Sequence, residues 1–346
     1  MGDQSEDFTM LTSRNKFTVA VEGGLMLVIN LVALTGNLLI CLVMYNKPRF
    51  HTTTNTFMLV LAVCYGFISC LVMPFTVGSL VTGRWLFGQV LCDIQGFSFL
   101  ALTWISLLTL TLMEITQFFQ ATRLAFYNKW FSLNRSYGMI LAIWIVVITV
   151  LICPIASGAA KFQFSPGESL CAMSFSEKTQ TRNTIYVVVT LALYVTLPVV
   201  PLISWCAIRR HNAYVHTSGQ NQRKSEIEMK ISTEEGKTNH TSGQIPRSSV
   251  IEMRMRAEDQ KTNRVLLTLI LVVMLFWLPA VLIKILALPI SLPRQVHLSS
   301  TFFWFVVPAL YPIIYGVLHR PFSREVLRVL PISRKRQNKV NVEDAI

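Results

Sequence analysis

The sequence predicts an all-α membrane protein, a seven-transmembrane helix bundle with a short amphipathic eighth helix. The chain is 52% hydrophobic and only 14% charged, and it contains seven long apolar runs without the alternating pattern of a membrane barrel. About 20 helical residues cross a hydrocarbon core. Backbone groups in lipid must be hydrogen-bonded within their own segment, which favours helices. The predicted spans one to seven are Val19–Met44, Phe57–Leu80, Val90–Leu112, Tyr137–Ala156, Ile185–Ile208, Val265–Leu288 and Leu298–Leu318.

The distribution of basic residues predicts the orientation of these spans. The loops after spans one, three and five, together with the C-terminal tail, contain 23 of the 31 Lys and Arg residues. By the positive-inside rule these segments are cytoplasmic and the N-terminus is extracellular. We therefore expect an extracellular segment over residues 1–18, a bundle over 19–319 and a cytoplasmic tail over 320–346. The basic bias indicates a multi-pass plasma-membrane protein in contact with membrane lipids, and it does not indicate nucleic-acid binding.

Two cysteines fall on the predicted extracellular side. Cys92 lies at the start of span three, and Cys171 lies in the loop between spans four and five. Disulfides persist on the oxidising side of a membrane. We therefore predict a disulfide between Cys92 and Cys171.

The segment between spans five and six, residues 209–264, is a long polar insertion with an internal repeat. His216–Gln220 recurs as His240–Gln244, and Ile227–Met229 recurs as Ile251–Met253, both at an offset of 24 residues. A tandem duplication is the simplest explanation, and a doubled docking or phosphorylation motif is the functional alternative. The composition predicts disorder in the middle of this segment.

A short amphipathic helix is predicted after span seven. Arg320 is followed by two further arginines at a spacing of four residues, and Phe322, Val326 and Leu330 follow the same spacing on the opposite face. Such a helix is suited to lie on the inner leaflet with its apolar side toward the lipid.

Several spans carry short motifs of defined residue types. They are Gly36-Asn37 in span one, Pro74 in span two, Trp85–Gly88 before span three, Trp144 in span four, Pro198 in span five, Phe276–Pro279 in span six and Tyr311–Tyr315 in span seven. In this order and at these depths, the motifs resemble those of the rhodopsin-like (class A) G-protein-coupled receptors over about residues 18–330. The resemblance implies a receptor rather than an enzyme, without a cofactor or metal. In such a receptor an extracellular small molecule shifts a helix bundle, and a heterotrimeric G protein responds.

At three switch positions the chain departs from the family. Gln117 stands where the family has the arginine of its Asp/Glu-Arg-Tyr motif, and a neutral amide lacks the charge-assisted hydrogen bonds of a guanidinium. Tyr65 and Tyr311 stand where the family has an aspartate and an asparagine near its sodium ion. A phenol is a poor ligand for a hard cation, so we expect no allosteric sodium site. We hypothesise that Tyr65 and Tyr311 hydrogen-bond to each other, with independent change at both positions as the alternative.

Other switch positions match the family. Trp277 and Pro279 in span six and Tyr315 in span seven agree with its motifs. Glu114, three residues before Gln117, is an intramembrane carboxylate. It is either a functional group or a residue hydrated from the cytoplasmic face.

The resemblance also implies a ligand cavity on the extracellular side, between spans three, five, six and seven. Phe99 stands where amine receptors have an aspartate, and Phe305 stands where opsins have the retinal-binding lysine. A biogenic amine would lack its counter-ion and a Schiff base cannot form. The aromatic and apolar lining favours an apolar, lipid-like or indole-like ligand. Lys284 is interpreted as snorkelling to the interface, with a ligand carboxylate as the alternative partner. The expected lining residues are Phe99, Thr103, Thr190, Tyr194, Trp277, Val281, Lys284 and Trp304.

Two other functions remain open. The loss of the switch arginine at Gln117 favours a non-coupling decoy, or a partner subunit in a homo- or heterodimer with another receptor. A small-molecule transporter would show inverted repeats and paired broken helices, which the sequence does not contain.

Overall fold

Six long helices match six of the predicted spans. The computed structural model describes residues 14–47, 50, 52–175, 203, 206–207, 209–210, 247–287, 290 and 292–329, with the side chains of the span-six helix described from residue 265. Six helices in this part of the chain are long and apolar enough to cross a membrane. Most of span five, predicted at Ile185–Ile208, lies outside the described residues. Pro198 and both copies of the repeated pentapeptide, His216–Gln220 and His240–Gln244, lie outside them as well. The helices of spans one, two, three, four, six and seven are Lys16–Asn46, Thr53–Leu71 with Met73–Thr82, Gly88–Thr122, Leu133–Ala156, Arg247–Leu286 and Arg294–Leu318.

The helices extend beyond the predicted apolar runs. The helix of span three reaches Thr122, and that of span six begins at Arg247, so the last part of the predicted loop over 209–264 is helical. Hydropathy marks only the lipid-facing part of a helix, whereas backbone hydrogen bonding continues into the polar residues beyond it. Two shorter helices, Leu124–Trp130 and Arg320–Val329, follow spans three and seven.

Span two is interrupted at Val72. Its first helix ends at Leu71 and its second begins at Met73, with Pro74 in the first turn of the new helix. Proline lacks a backbone N–H and its ring clashes with the carbonyl four residues earlier, so the helix breaks and restarts just before it. The Val72 carbonyl accepts from the Thr76 N–H over 3.3 Å and also from Gln95 in span three.

Spans one and seven are in close contact. The Asn37 Nδ2 atom donates to the carbonyl of Pro308 over 2.9 Å. One residue earlier, a Cβ atom on Gly36 would lie 2.4 Å from Cγ of Pro312, so only glycine permits this approach. The Gly-Asn pair of span one therefore fixes the position of span seven.

A β-hairpin, Ala160–Ser165 (β1) and Leu170–Phe175 (β2), follows span four in the chain. It lies against span three. The strands are antiparallel, with Phe164 opposite Cys171. The predicted disulfide between Cys92 and Cys171 is confirmed, with Cα atoms 5.4 Å apart. A Cβ atom on Gly96 would lie 2.3 Å from the Phe162 ring, so a glycine is required where the hairpin meets span three. We call this end of the bundle the hairpin end and the other the opposite end.

The eighth helix, Arg320–Val329, differs from the prediction in where its apolar side points. Phe322 is buried, and its ring centre lies 4.8 Å from that of Tyr315 and 6.3 Å from that of Phe50. Lys47 and Glu325 form an ion pair of 3.2 Å beside it. Phe322 thus packs on the opposite end of the bundle rather than on lipid, because the end of span seven presents aromatic side chains to it.

Candidate functional site

Four aromatic side chains from spans three, six and seven meet below the hairpin. The ring centres of Trp277 and Trp304 are 5.1 Å apart, and those of Phe99 and Trp304 are 6.0 Å apart. Phe305 is fully buried, and the centre of its ring lies 5.8 Å from that of the Phe99 ring. We call Phe99, Trp277, Trp304 and Phe305 the aromatic group. Three of its members were among the expected lining residues, and the structure brings these three together.

The other expected lining residues divide into two sets. Thr103 and Val281 are buried on spans three and six. Thr190 and Tyr194 lie outside the described residues. Trp277 is itself buried, and its Nε1 atom has no hydrogen-bond partner among the described residues. A buried donor without an acceptor costs about 1–3 kcal/mol, so an acceptor placed there by a ligand would be favourable.

Gln95 connects the hairpin to the break in span two. Its Nε2 atom donates to the Val72 carbonyl and to Oγ1 of Thr76, each over 3.1 Å. Its Oε1 atom accepts from the backbone N–H of Cys171 over 3.0 Å. This fully buried amide is satisfied on both sides and holds the hairpin strand over spans two and three. The sequence signal was a polar residue inside an apolar span, which is a reason to suspect a specific role.

The turn of the hairpin is attached to spans six and seven. The Lys284 Nζ atom donates to Oε1 of Glu168, and the two side chains form an ion pair. The Thr301 hydroxyl donates to the Glu168 carbonyl over 2.9 Å. Lys284, interpreted from sequence as snorkelling, therefore has a protein partner from the hairpin. No local pattern indicates this partner, since Glu168 is 116 residues away in the chain.

A second charged cluster ties span one to span seven at the hairpin end. The Arg294 guanidinium donates two hydrogen bonds to the Glu22 carboxylate, of 3.0 and 2.8 Å. Arg14 also donates to Glu22, and to the carbonyl of Leu80 in span two. Both arginine side chains are at least nine-tenths buried. Two buried guanidinium groups thus share one carboxylate.

The two mid-bundle tyrosines are in contact but do not hydrogen-bond to each other. The rings of Tyr65 and Tyr311 meet edge to face with centres 5.3 Å apart. The Tyr311 hydroxyl donates instead to the Met58 carbonyl over 2.7 Å. The predicted direct hydrogen bond is therefore wrong. In this edge-to-face arrangement the edge of one ring points at the face of the other, and the two hydroxyl groups are not hydrogen-bonded. The Tyr311 hydroxyl reaches the backbone carbonyl of Met58 in span two instead.

The opposite end of span three is hydrogen-bonded to span two through an uncharged side chain. The buried Gln117 donates from Nε2 to Oγ1 of Thr54 over 3.1 Å. Glu114 is buried, with 5% of its surface exposed. Its Oε1 atom has no hydrogen-bond partner among the described residues.

The end of span seven is linked to span two. The Tyr315 hydroxyl donates to Oδ1 of Asn55 over 3.3 Å, and its ring stacks on His319 with centres 4.9 Å apart. Pro279, two residues after Trp277, lies inside the long helix of span six. Span six thus has a helix-weakening residue next to the aromatic group.

Comparison with known proteins identifies the fold and the family. Residues 36–315 match the family described as "7 transmembrane receptor (rhodopsin family)". The crystal structure of squid rhodopsin superposes with a TM-score of 0.71 at 18% identity, covering 92% of this chain and 87% of that chain. This likeness establishes a seven-helix fold.

Three relatives illustrate the range of similar sequences. The G-protein coupled receptor 161 of Danio rerio is 28% identical over 46% of this chain and 30% of its own length. The high-affinity lysophosphatidic acid receptor of Xenopus laevis is 23% identical over 59% of this chain and 54% of its own. The 5-hydroxytryptamine receptor 1B of Canis lupus familiaris is 30% identical over 40% of this chain and 36% of its own. The chain thus spans about a third to a half of these relatives.

Proposed function

Because the chain belongs to the rhodopsin family of seven-transmembrane receptors, we propose that it transduces an extracellular, largely apolar small-molecule signal to heterotrimeric G proteins. In this proposal the hairpin end is extracellular and the opposite end is cytoplasmic. Residues 1–18 then lie outside, residues 19–319 form the bundle, and residues 320–346 form the cytoplasmic tail. Family and fold are those of receptors and not of enzymes.

The proposed ligand class rests on the aromatic group and on the ion pair that Lys284 and Glu168 form at the hairpin end. Phe99 occupies the position from which an aspartate would bind an amine, and it packs on Trp304. Lys284, the one charge among the expected lining residues, is neutralised by Glu168. A ligand would therefore meet aromatic faces and the indole N–H of Trp277, which has no hydrogen-bond partner among the described residues. Such a site suits an uncharged lipid-like or indole-like molecule with one hydrogen-bond acceptor.

The names of the relatives agree with this class only in the apolar part of the ligand. One is named for lysophosphatidic acid, a lipid, and another for 5-hydroxytryptamine, an indole with an amine. The missing carboxylate at Phe99 argues against the amine and leaves the indole ring or a lipid chain as the recognised part.

The test is G-protein activation in cells that express the chain, screened against neutral lipids, indoles and amines. Loss of a buried aromatic anchor costs 1–3 kcal/mol or more, so Trp304→Leu should weaken the response to a neutral agonist about tenfold or more. Val317→Leu, at an exposed position on the same helix, is the matched control and should leave potency unchanged. A response restricted to amines would contradict the proposed ligand class.

A second candidate function, a non-coupling decoy or partner subunit, is favoured by one contact. Gln117 donates to Thr54 within the bundle, so the position of the family's arginine carries no charge that could be released toward a G protein. The discriminating variant is Gln117→Arg. Signalling by the native chain supports the receptor, whereas signalling by the arginine variant alone supports the decoy.

A further inference from the structure

The short helix Leu124–Trp130, in the loop after span three, exposes large apolar side chains. Leu124 is 58% exposed, Phe126 39% and Trp130 46%, and the helix contains no buried residue. Aromatic and leucine side chains exposed together mark a surface that binds either a protein or a membrane.

This surface is continuous with the lipid-facing side of span four. The guanidinium carbon of Arg135, in the first turn of span four, lies 6.0 Å from the centre of the Trp130 ring. About three and four turns further along that helix, Val146 and Val150 lie on the same face as Arg135 and are exposed. Trp130 therefore lies at the margin of a face that the fold assigns to lipid, where tryptophan is enriched in membrane proteins.

The charged side chains of the segment that contains Trp130, from Arg123 to Arg135, are all basic. Lys129 places its Nζ atom 5.8 Å from the Trp130 ring centre, on the ring that Arg135 also approaches. Between Arg123 and Arg135 the sequence contains no Asp or Glu. A surface with exposed aromatic rings and only basic charge is complementary to an anionic leaflet, where each Lys or Arg contributes about 1 kcal/mol.

We propose that Leu124, Phe126, Lys129, Trp130 and Arg135, the basic aromatic strip, dock on the negatively charged leaflet of the membrane. The Trp130 ring lies at the level of the headgroups, and Lys129 and Arg135 contact lipid phosphate or carboxylate groups. The rings of Phe119 in span three and Phe126 are 4.4 Å apart, so lipid contact on the strip also positions the end of span three. The inference rests on the membrane fold and not on the ligand or on G-protein coupling.

The experiment measures quenching of Trp130 fluorescence by lipids brominated near the headgroup. The full chain is placed in nanodiscs of zwitterionic lipid with increasing phosphatidylserine. The Trp130 signal is the difference between the native chain and Trp130→Phe, a variant that keeps an aromatic ring at this position. Quenching should rise with the fraction of phosphatidylserine. Lys129→Gln and Arg135→Gln should each require about fivefold more anionic lipid, the equivalent of about 1 kcal/mol.

Arg84→Gln is the matched control, because Arg84 is exposed at the hairpin end, away from the strip. It should leave the titration unchanged. An unquenched Trp130 signal would overturn the proposal and assign the strip to a cytoplasmic protein. Quenching that is equal in zwitterionic and anionic discs would overturn it as well. Either failure leaves the proposed receptor function intact, since agonist-dependent signalling is read separately.

Discussion

Replacing Glu22 by glutamine should destabilise the bundle more than replacing the neighbouring Arg14 by glutamine. Glu22 accepts two hydrogen bonds from Arg294 and one from Arg14. Only 6% of the Arg14 side chain and 3% of that of Arg294 are exposed. Removing the anion from a buried ion pair costs about 3–5 kcal/mol, because the remaining charge is left without compensation. The amide oxygen still accepts one hydrogen bond, so we expect about 3 kcal/mol for Glu22→Gln.

The same reasoning predicts a small effect for Arg14→Gln. Burial and the neighbouring Arg294 lower the pKa of Arg14, which indicates that its charge is unfavourable at this place. Removing that charge leaves one guanidinium on one carboxylate. The expected cost is therefore below about 1 kcal/mol, the lost hydrogen bonds being offset by the relief of repulsion.

The assay is thermal unfolding in nanodiscs, followed by reaction of a dye with the buried thiol of Cys64. A loss of about 3 kcal/mol corresponds to a fall of about 10 °C in the midpoint, by the scaling for domains of 150–250 residues. Arg14→Gln should shift the midpoint by less than about 3 °C on the same scale. Equal losses for Glu22→Gln and Arg14→Gln would refute the charge-balance argument.

Three further predictions concern the bundle interior. Gly36→Ala should lower the free energy of unfolding by about 1–3 kcal/mol, because its Cβ atom would lie 2.4 Å from the Pro312 ring. An unchanged midpoint of thermal unfolding would contradict this contact. Tyr311→Phe should lower the free energy of unfolding by about 0.6 kcal/mol, because the hydrogen bond to the Met58 carbonyl is lost. Tyr65→Phe removes no hydrogen bond to Tyr311, so a double-mutant cycle of the two changes should show no coupling energy. Replacing sodium by choline should leave agonist affinity in membranes unchanged, and a sodium-dependent shift would contradict the absence of a cation site.

Much of the fold could be predicted because membrane insertion is a local property. Lipid solubility and backbone hydrogen bonding are satisfied within each segment, so the apolar runs located six described helices before any contact between them was known. Cys92 and Cys171 followed from the side of the membrane on which they lie. The meeting of Phe99, Trp277 and Trp304 followed from family motifs that fix depth within each span.

Local exceptions to the pattern could have been anticipated but were not. Pro74 predicts the break at Val72, since a proline cannot continue the preceding turn. Gln95 is a polar residue in an apolar span, and such a residue needs partners. Each indicated that a contact was required, but neither indicated with which residue.

The sequence by itself determined the class of protein and the depth of each motif. It also showed that Gln117, Tyr65 and Phe99 stand where related receptors have charged side chains. Each of these inferences depends on one segment at a time. Only the tertiary structure decided that Glu168 neutralises Lys284 and that Glu22 joins Arg14 and Arg294. It likewise directed the Tyr311 hydroxyl to Met58. These partners lie far apart in the chain. Their pairing depends on how the helices pack against one another, which hydropathy and spacing along a single helix do not encode.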